Sequence, residues 1–185
     1  MSIPEPDQMI ETDRLILRKW KKADLAPFAS LNSCKHVSEF LPKTLNKEES
    51  DALAEEIMAR FEKQGFGLFA VERKDSKEFI GFTGLNIPGF SAPFMPAIEI
   101  GWRLSYENWR KGLATEAARA IRNYAFTQLN LAEIVSFTVP ANKRSRSVME
   151  KIGMTHHTQD DFDHPNQEKG DPLRKHVLYR IHGHL

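Results

Sequence analysis

An apolar stretch, Ala97–Ser105, leads into Asn108-Trp109-Arg110-Lys111-Gly112-Leu113-Ala114-Thr115-Glu116-Ala117 and then into an alanine-rich helical pattern that ends near Leu129. Strand, tight basic turn and helix in direct succession narrow the folds open to this chain. A helix start leaves about four backbone N–H groups without internal partners, and the helix dipole adds partial positive charge there. Phosphate oxygens are natural ligands of such a joint. Arg110 and Lys111 add cationic donors, Thr115 offers a hydroxyl, and Ala114 and Ala117 keep the helix start uncluttered. Two phosphate-binding patterns fail. Lys111-Gly112 runs in the wrong order for a P-loop, and Gly112 stands alone, without the Gly-x-Gly-x-x-Gly of a dinucleotide fold. A purely structural turn stays open at this point.

Net charge is +1, so no global field recruits nucleic acid or an anionic membrane. The charge is uneven, however. Trp109–Lys151 holds eight basic residues (Arg110, Lys111, Arg119, Arg122, Lys143, Arg144, Arg146, Lys151) against three acidic ones (Glu116, Glu133, Glu150). A locally basic segment in an otherwise acidic chain suits a small polyanion better than a long nucleic acid. The single cysteine, Cys34, excludes an intramolecular disulfide and reads as a small half-buried hydrophobe. No basic-then-apolar leader opens the chain and no apolar run approaches the roughly 20 residues that span a bilayer, so a cytoplasmic protein with no membrane partner is expected.

Met1–Gln8 reads as a loose terminus, and residues 11–20 interleave apolar and charged side chains as a strand. Asp24 is placed to cap a short helix through Leu31. Leu53, Ile57 and Phe61 recur at four-residue spacing within a helix over 47–64 that Gly65 stops. Strands are expected over 66–73, 78–88 and 97–105, the first two joined by a hairpin turn at Lys74-Asp75-Ser76-Lys77. A helix over 112–129 precedes a β-branched strand over 133–139, which Pro140 ends. A short helix over 143–152, stopped by Gly153, and closing strands over 154–159 and 174–181 around a polar loop at 160–172 complete the pattern. The order predicts a single mixed α/β (α+β) domain over 1–185, with helices on both faces of the sheet.

Three runs carry a family resemblance: Glu99-Ile-Gly-Trp-Arg-Leu, Trp109-Arg-Lys-Gly-Leu-Ala-Thr-Glu-Ala, and Pro140-Ala-Asn-Lys-Arg-Ser-Arg-Ser-Val-Met-Glu-Lys-Ile-Gly-Met. The chain resembles the GNAT N-acetyltransferase superfamily, and most of all its RimJ/RimL-type branch, which is linked to acetylation of ribosomal-protein N-termini. The opening Ile10-Glu-Thr-Asp-Arg-Leu-Ile-Leu-Arg and the tail segments Asp161-Phe-Asp-His-Pro and Pro172-Leu-Arg-Lys-His-Val-Leu-Tyr-Arg extend it over nearly the whole chain. In the superfamily signature Gln/Arg-x-x-Gly-x-Gly/Ala, Gly112 and Ala114 fill the last two places, while Trp109 replaces the first, as is familiar in that branch. Arg110 stands where that branch usually has Gly, at a position where a glycine-only conformation would strain it.

The resemblance implies the GNAT fold, a mostly antiparallel mixed sheet with one splayed parallel strand pair, and acetyl-CoA as cosubstrate with no metal. The splayed pair falls on 97–105 and 133–139. The pantetheine arm is expected on the backbone edge of Trp102, Arg103 and Leu104. The pyrophosphate is expected on the N–H groups of Trp109, Arg110, Lys111, Gly112, Leu113, Ala114 and Thr115. Asn142 matches the asparagine that bonds the cofactor arm, and Ser145 a hydroxyl beside the sulfur. The implied activity is acetyl transfer to a primary amine, a protein N-terminus or a small molecule, by direct attack. The alternative is a GNAT-like module that holds acyl-CoA, or docks a partner, without turnover. A homodimer is compatible with either.

Direct transfer needs a neutral amine, a polarised thioester carbonyl and a proton for the thiolate. Glu99, on the strand beside the cofactor, is the favoured base, since a desolvated carboxylate can titrate near neutrality. A backbone N–H near Trp102 or Arg103 suits the carbonyl oxygen. Many members of the superfamily carry a Tyr general acid in the helix after Asn142; this chain has no Tyr between Tyr124 and Tyr179, and the resemblance then points to Ser145 as the thiolate-stabilising group. His176 and the loop Asp161-Phe162-Asp163-His164 are placed to face the acceptor, and Phe40, Phe66, Phe90 and Phe94 to line its pocket or the core. His156–His164 is rich in metal-ligand types but lacks the spaced ligand pairs of a zinc site.

Overall fold

The computed structural model describes residues 9–183; the loose terminus expected over Met1–Gln8 lies outside the described residues. The strand expected over 11–20 is a hairpin instead, β1 (Ile10–Glu11) against β2 (Leu15–Arg18). Thr12 turns the chain: its N–H donates to Leu15 O and its Oγ1 accepts from Leu15 N, both at 3.0 Å. A single helical turn, Lys22–Asp24, then precedes α1 (Leu25–Ser33). Asp24 does not cap α1 with its side chain as expected, because the carboxylate is engaged elsewhere. It takes Arg18 Nη1 at 2.8 Å and Nη2 at 2.9 Å, while Glu72 takes Arg18 Nε at 2.7 Å.

α2 (Lys47–Gln64) begins with a capping box in which Glu49 N donates to Asn46 Oδ1 and Asn46 N to Glu49 Oε2. β3 (Leu68–Arg73), β4 (Phe79–Asn86) and β5 (Glu99–Leu104) follow, the first two joined at Lys74–Lys77 as expected. Then come α3 (Leu113–Thr127), β6 (Glu133–Thr138) and α4 (Lys143–Lys151). The expected strand over 154–159 shortens to β7 (Thr155–His156), and the expected loop over 160–172 holds β8 (Phe162–Asp163). β9 (Lys175–His182) closes the sheet and pairs with β6, β7 and β8.

The sheet order is β1-β2-β3-β4-β5-β6-β9-β7. Among the described residues every pairing is antiparallel except β5 with β6. Helices cover both faces. On one, Leu113, Ala117 and Ile121 of α3 and Met149 of α4 join Leu15, Val71 and Ile100 in the main core. On the other, Phe28 and Leu31 of α1 and Ala54 and Ile57 of α2 pack over Phe82. Ile80–Leu85 is buried throughout, which is why this strand reads as a continuous apolar run. This is the mixed sheet with one parallel pair that the element order and the resemblance implied.

Candidate active site

β5 and β6 share a single bridge, Glu99 opposite Val135, with Val135 N donating to Ile98 O at 2.9 Å. One step further a side chain replaces the main chain, as Ser136 Oγ donates to Ile100 O at 2.9 Å. Beyond that the strands part, while β5 stays paired with β4 as far as Leu104 opposite Gly81. Ser105 N donates to Ile80 O at 2.8 Å, and Thr83 Oγ1 to Gly101 O at 3.0 Å. Odd-numbered residues therefore turn their main chain to β4, and alternation turns that of Trp102 and Leu104 to the gap. Leu104 O is taken by Trp109 Nε1 at 2.9 Å. Trp102 N–H and C=O and Leu104 N–H form the free edge. Arg103, expected to offer backbone there, offers its side chain instead: a Cβ added to Gly81 would lie 2.0 Å from Arg103 O, so that carbonyl faces β4.

The turn at the end of this edge holds two left-handed residues, Arg110 at φ 59 and Gly112 at φ 75. Gly112 adopts this freely; a non-glycine residue pays about 1–2 kcal/mol. The first hairpin braces the turn. Arg14 Nη1 donates to Lys111 O at 2.8 Å, Arg14 Nε meets Glu116 at 2.6 Å, and Thr12 Oγ1 donates to Glu116 Oε1 at 2.6 Å. Replacing Arg110 with Gly is expected to stabilise the protein by about 0.5–1 kcal/mol, the left-handed penalty released less the extra unfolded-state entropy of glycine. Urea unfolding checks this. An unchanged or lower midpoint would show that the guanidinium offsets the strain.

A cleft of about 760 Å³ runs along the gap and opens onto the α1/α2 face of the sheet. Its lining includes Glu99, Trp102, Arg103, Leu104, Trp109, Arg110, Gly112, Leu113, Ala114, Thr115, Asn142 and Ser145, which are all the expected site residues except Lys111. Glu99, Gly101 and Arg103 share one strand face, with Asn86 opposite Glu99 and Phe82 opposite Arg103. Burial pushes the Glu99 carboxyl up to about 7, against a hydrogen bond from Asn86 that lowers it. Although the side chain reaches the cleft, it sits amid enough protein to lose most of its hydration.

Across the gap, Asn142 caps α4. Its Oδ1 accepts from Ser145 N at 3.3 Å, and its Nδ2 donates to Thr138 Oγ1 at 3.0 Å and Ser145 Oγ at 3.2 Å. Ser145 thus accepts from Asn142, and its own hydroxyl proton finds no acceptor among the described residues. Arg144 bridges the mouth: its guanidinium lies 4.7 Å from the Trp109 ring and 5.5 Å from the Phe40 ring, and it pairs with Glu39.

Other expected acceptor residues lie elsewhere. His164 and His176 pack at tilted angles against Phe90 and Phe162 in an aromatic cluster beside β8 and β9, and Phe94 joins the same cluster. None of these lines the cleft, whereas Phe40 does and Phe66 packs on the main core. Burial lowers the pKa of both histidines. Among the described residues no group of three or more His, Cys, Asp or Glu is placed to hold a metal, and no helix is long and apolar enough to cross a membrane. Sequence reasoning missed Asn86, Ser136, Thr138 and Arg14. Only strand register brings Asn86 to Glu99, and only the folded hairpin brings Arg14 to the turn.

The chain matches the family described as "Acetyltransferase (GNAT) domain" over residues 14–155. Over 145 residues, 78% of this chain and 81% of its counterpart, it is 30% identical to the uncharacterized N-acetyltransferase YnaD of Bacillus subtilis (strain 168). The acetyltransferase from Agrobacterium tumefaciens str. C58 has a similar structure, with a TM-score of 0.76 and 27% identity over 98% of each chain. RimL, a ribosomal L7/L12 alpha-N-protein acetyltransferase solved in complex with Coenzyme A, shares the fold at 14% identity, with a TM-score of 0.77 over 95% of this chain and 98% of that one.

Proposed function

The chain belongs to the GNAT acetyltransferase family and is an N-acetyltransferase, and from that premise we propose that one catalytic domain moves the acetyl group of acetyl-CoA directly onto a primary amine. The observation that carries this reading is the parting of β5 and β6 after one bridge, beside a helix start whose N–H groups are free. The residues present fit acetyl-CoA. Trp102 N–H and C=O and Leu104 N–H are strand groups with no strand opposite, a match for the amides of an extended arm. The turn from Arg110 to Thr115 presents N–H groups and the Arg110 guanidinium to a pyrophosphate, whereas Trp109 N–H, counted with them from the sequence, is already given to Tyr106 O at 3.1 Å. When bound, acetyl-CoA supplies an activated acyl group and a thiolate leaving group.

The protein's own part is positioning and proton management. Holding two reactants in register supplies much of the acceleration. Glu99, poised near neutrality, takes the proton that an ammonium must lose before it can attack. Trp102 N–H is the donor aimed into the gap, where a carbonyl oxygen gains charge. Ser145 keeps an unused O–H on the α4 wall, a hydrogen-bond donor for a departing thiolate, and the proton the nitrogen sheds as the amide forms neutralises that sulfur. Incubating the protein with acetyl-CoA and a panel of amines and peptides, while following free thiol and acceptor mass, tests the assignment. An acceptor gaining one acetyl group is expected; thiol release without acetylated acceptor would point to hydrolysis instead.

Asn142 holds the cap of α4 and, with Thr138, one wall of the gap. Asn142→Ala is expected to weaken CoA binding roughly tenfold and to destabilise the fold by about 1 kcal/mol through the lost cap. Calorimetric titration with CoA and urea unfolding separate the two effects. An unaltered Kd would remove Asn142 from the binding role and leave it the cap alone.

A further inference from the structure

Arg18 is buried and Arg103 is half-buried on the cleft wall, and the two are treated very differently. Arg18 is met by Asp24 on two nitrogens and by Glu72 on the third. Arg103 has no carboxylate: among the described residues it belongs to no ion pair, and its one hydrogen bond runs from Nη1 to Asn32 Oδ1 at 2.8 Å. Its guanidinium otherwise lies 5.3 Å from the centre of the Phe82 ring. A guanidinium carries five N–H donors, so most of them have no protein acceptor.

This placement is built. Asn32 is itself buried, 2% exposed, and its Nδ2 is anchored on the fully buried Ser50 hydroxyl at 2.9 Å, which turns its oxygen to Arg103. The side chain leaves β5 on the same face as Glu99 and Gly101 and lines the cleft. Burial lowers the Arg103 pKa to about 10, so it remains cationic at neutral pH. Its remaining N–H groups face the cleft rather than a protein acceptor, so a carboxylate entering there finds free donors. Arg110, Lys143, Arg144 and Lys151, the other cleft cations, are exposed and lie on the turn and α4, across the gap.

From this geometry we infer that the acceptor is a primary amine that also carries a carboxylate, bound with its nitrogen toward Glu99 and its carboxylate on Arg103. The inference rests on the acetyl-transfer reading and deepens it. Residues four apart on a strand have Cα atoms about 13 Å apart. That spacing favours an extended acceptor over an α-amino acid, whose amine and carboxylate share one carbon. The fit is an extended molecule, such as a short peptide with an acidic residue or a free C-terminus, or an ω-amino acid. Glu99 at the far end repels a carboxylate, so the polarity of the chamber sets a single orientation. Gly101 leaves the floor between them open: a Cβ there meets nothing within 4 Å.

The test uses matched acceptors, ω-amino acids of increasing length and short peptides, each as the free carboxylate and as its primary amide. Transfer is followed as acetylated product. Binding to the full-length protein saturated with CoA is measured by calorimetry, which needs no turnover. The carboxylate form is expected to exceed its amide by roughly 10- to 100-fold in kcat/KM and in affinity at the preferred length. Arg103→Gln is expected to bring that ratio close to one, and Arg103→Lys to restore part of it. Equal carboxylate and amide forms in the unaltered protein, at every length and in both measurements, would overturn the inference. Transfer to amides with no carboxylate preference would leave the acetyl-transfer reading standing. Carboxylate-selective binding without transfer to any acceptor would do the reverse.

Discussion

Glu99→Gln is expected to lower turnover by about 100-fold, the scale on which a positioned general base contributes, with little change in acceptor affinity. In the unaltered protein kcat/KM should rise with pH through about 7, as Glu99 loses its proton. The variant should lose that limb and keep only the higher one set by the amine itself. Stability should move the other way. The carboxyl titrates near 7 when folded and near 4.5 when unfolded. Above pH 4.5 the unfolded state therefore gives up its proton more readily, and stability falls as pH rises to about 7. Glutamine escapes this. The variant should gain up to about 3 kcal/mol at pH 8 and nothing at pH 4. A rate–pH profile that overlays the unaltered one would remove Glu99 as the base, whatever the stability shows.

Gly101→Val is expected to abolish most activity without harming the fold. The position is extended strand, where valine is favoured, and an added Cβ meets nothing within 4 Å. The new side chain would stand between Glu99 and Arg103, on the floor of the cleft. Acceptor kcat/KM should fall by at least about 100-fold, since the reacting groups can no longer approach in register. The unfolding midpoint should hold or rise, and CoA affinity should change far less, because the free main-chain edge faces the gap rather than the chamber. Retained acetylation would mean that the acceptor does not cross Gly101.

Much of this was legible in the residues because it depends on local pattern. Leu113, Ala117, Ile121 and Tyr124 mark the buried stripe of α3 at helical spacing, and all four are buried. The basic turn was recognisable from its position between strand and helix. What escaped depends on pairing across the chain. Residues 11–20 alternate like one strand, yet Thr12 folds them into a hairpin whose turn reaches Glu116. Asp24 has the look of a helix cap, but a buried arginine six residues earlier claims its carboxylate. Arg103 was assigned a backbone role, and the β4–β5 register reverses which group faces the gap. His176 was expected to face the acceptor, whereas the sheet places it among Phe137, Phe162 and His164.

The brace between Arg14 and Glu116 closes a separation of 102 residues. Closing so long a loop costs chain entropy, and the turn proposed for the pyrophosphate keeps its brace only when the first hairpin is in place. Strands β2 to β5 and helices α1 and α2 lie within the loop it closes. A ligand seated on that turn therefore draws on the whole assembly: its affinity counts only those molecules in which the two distant parts of the chain have already met. CoA binding is in this sense a census of finished protein, not of finished turns.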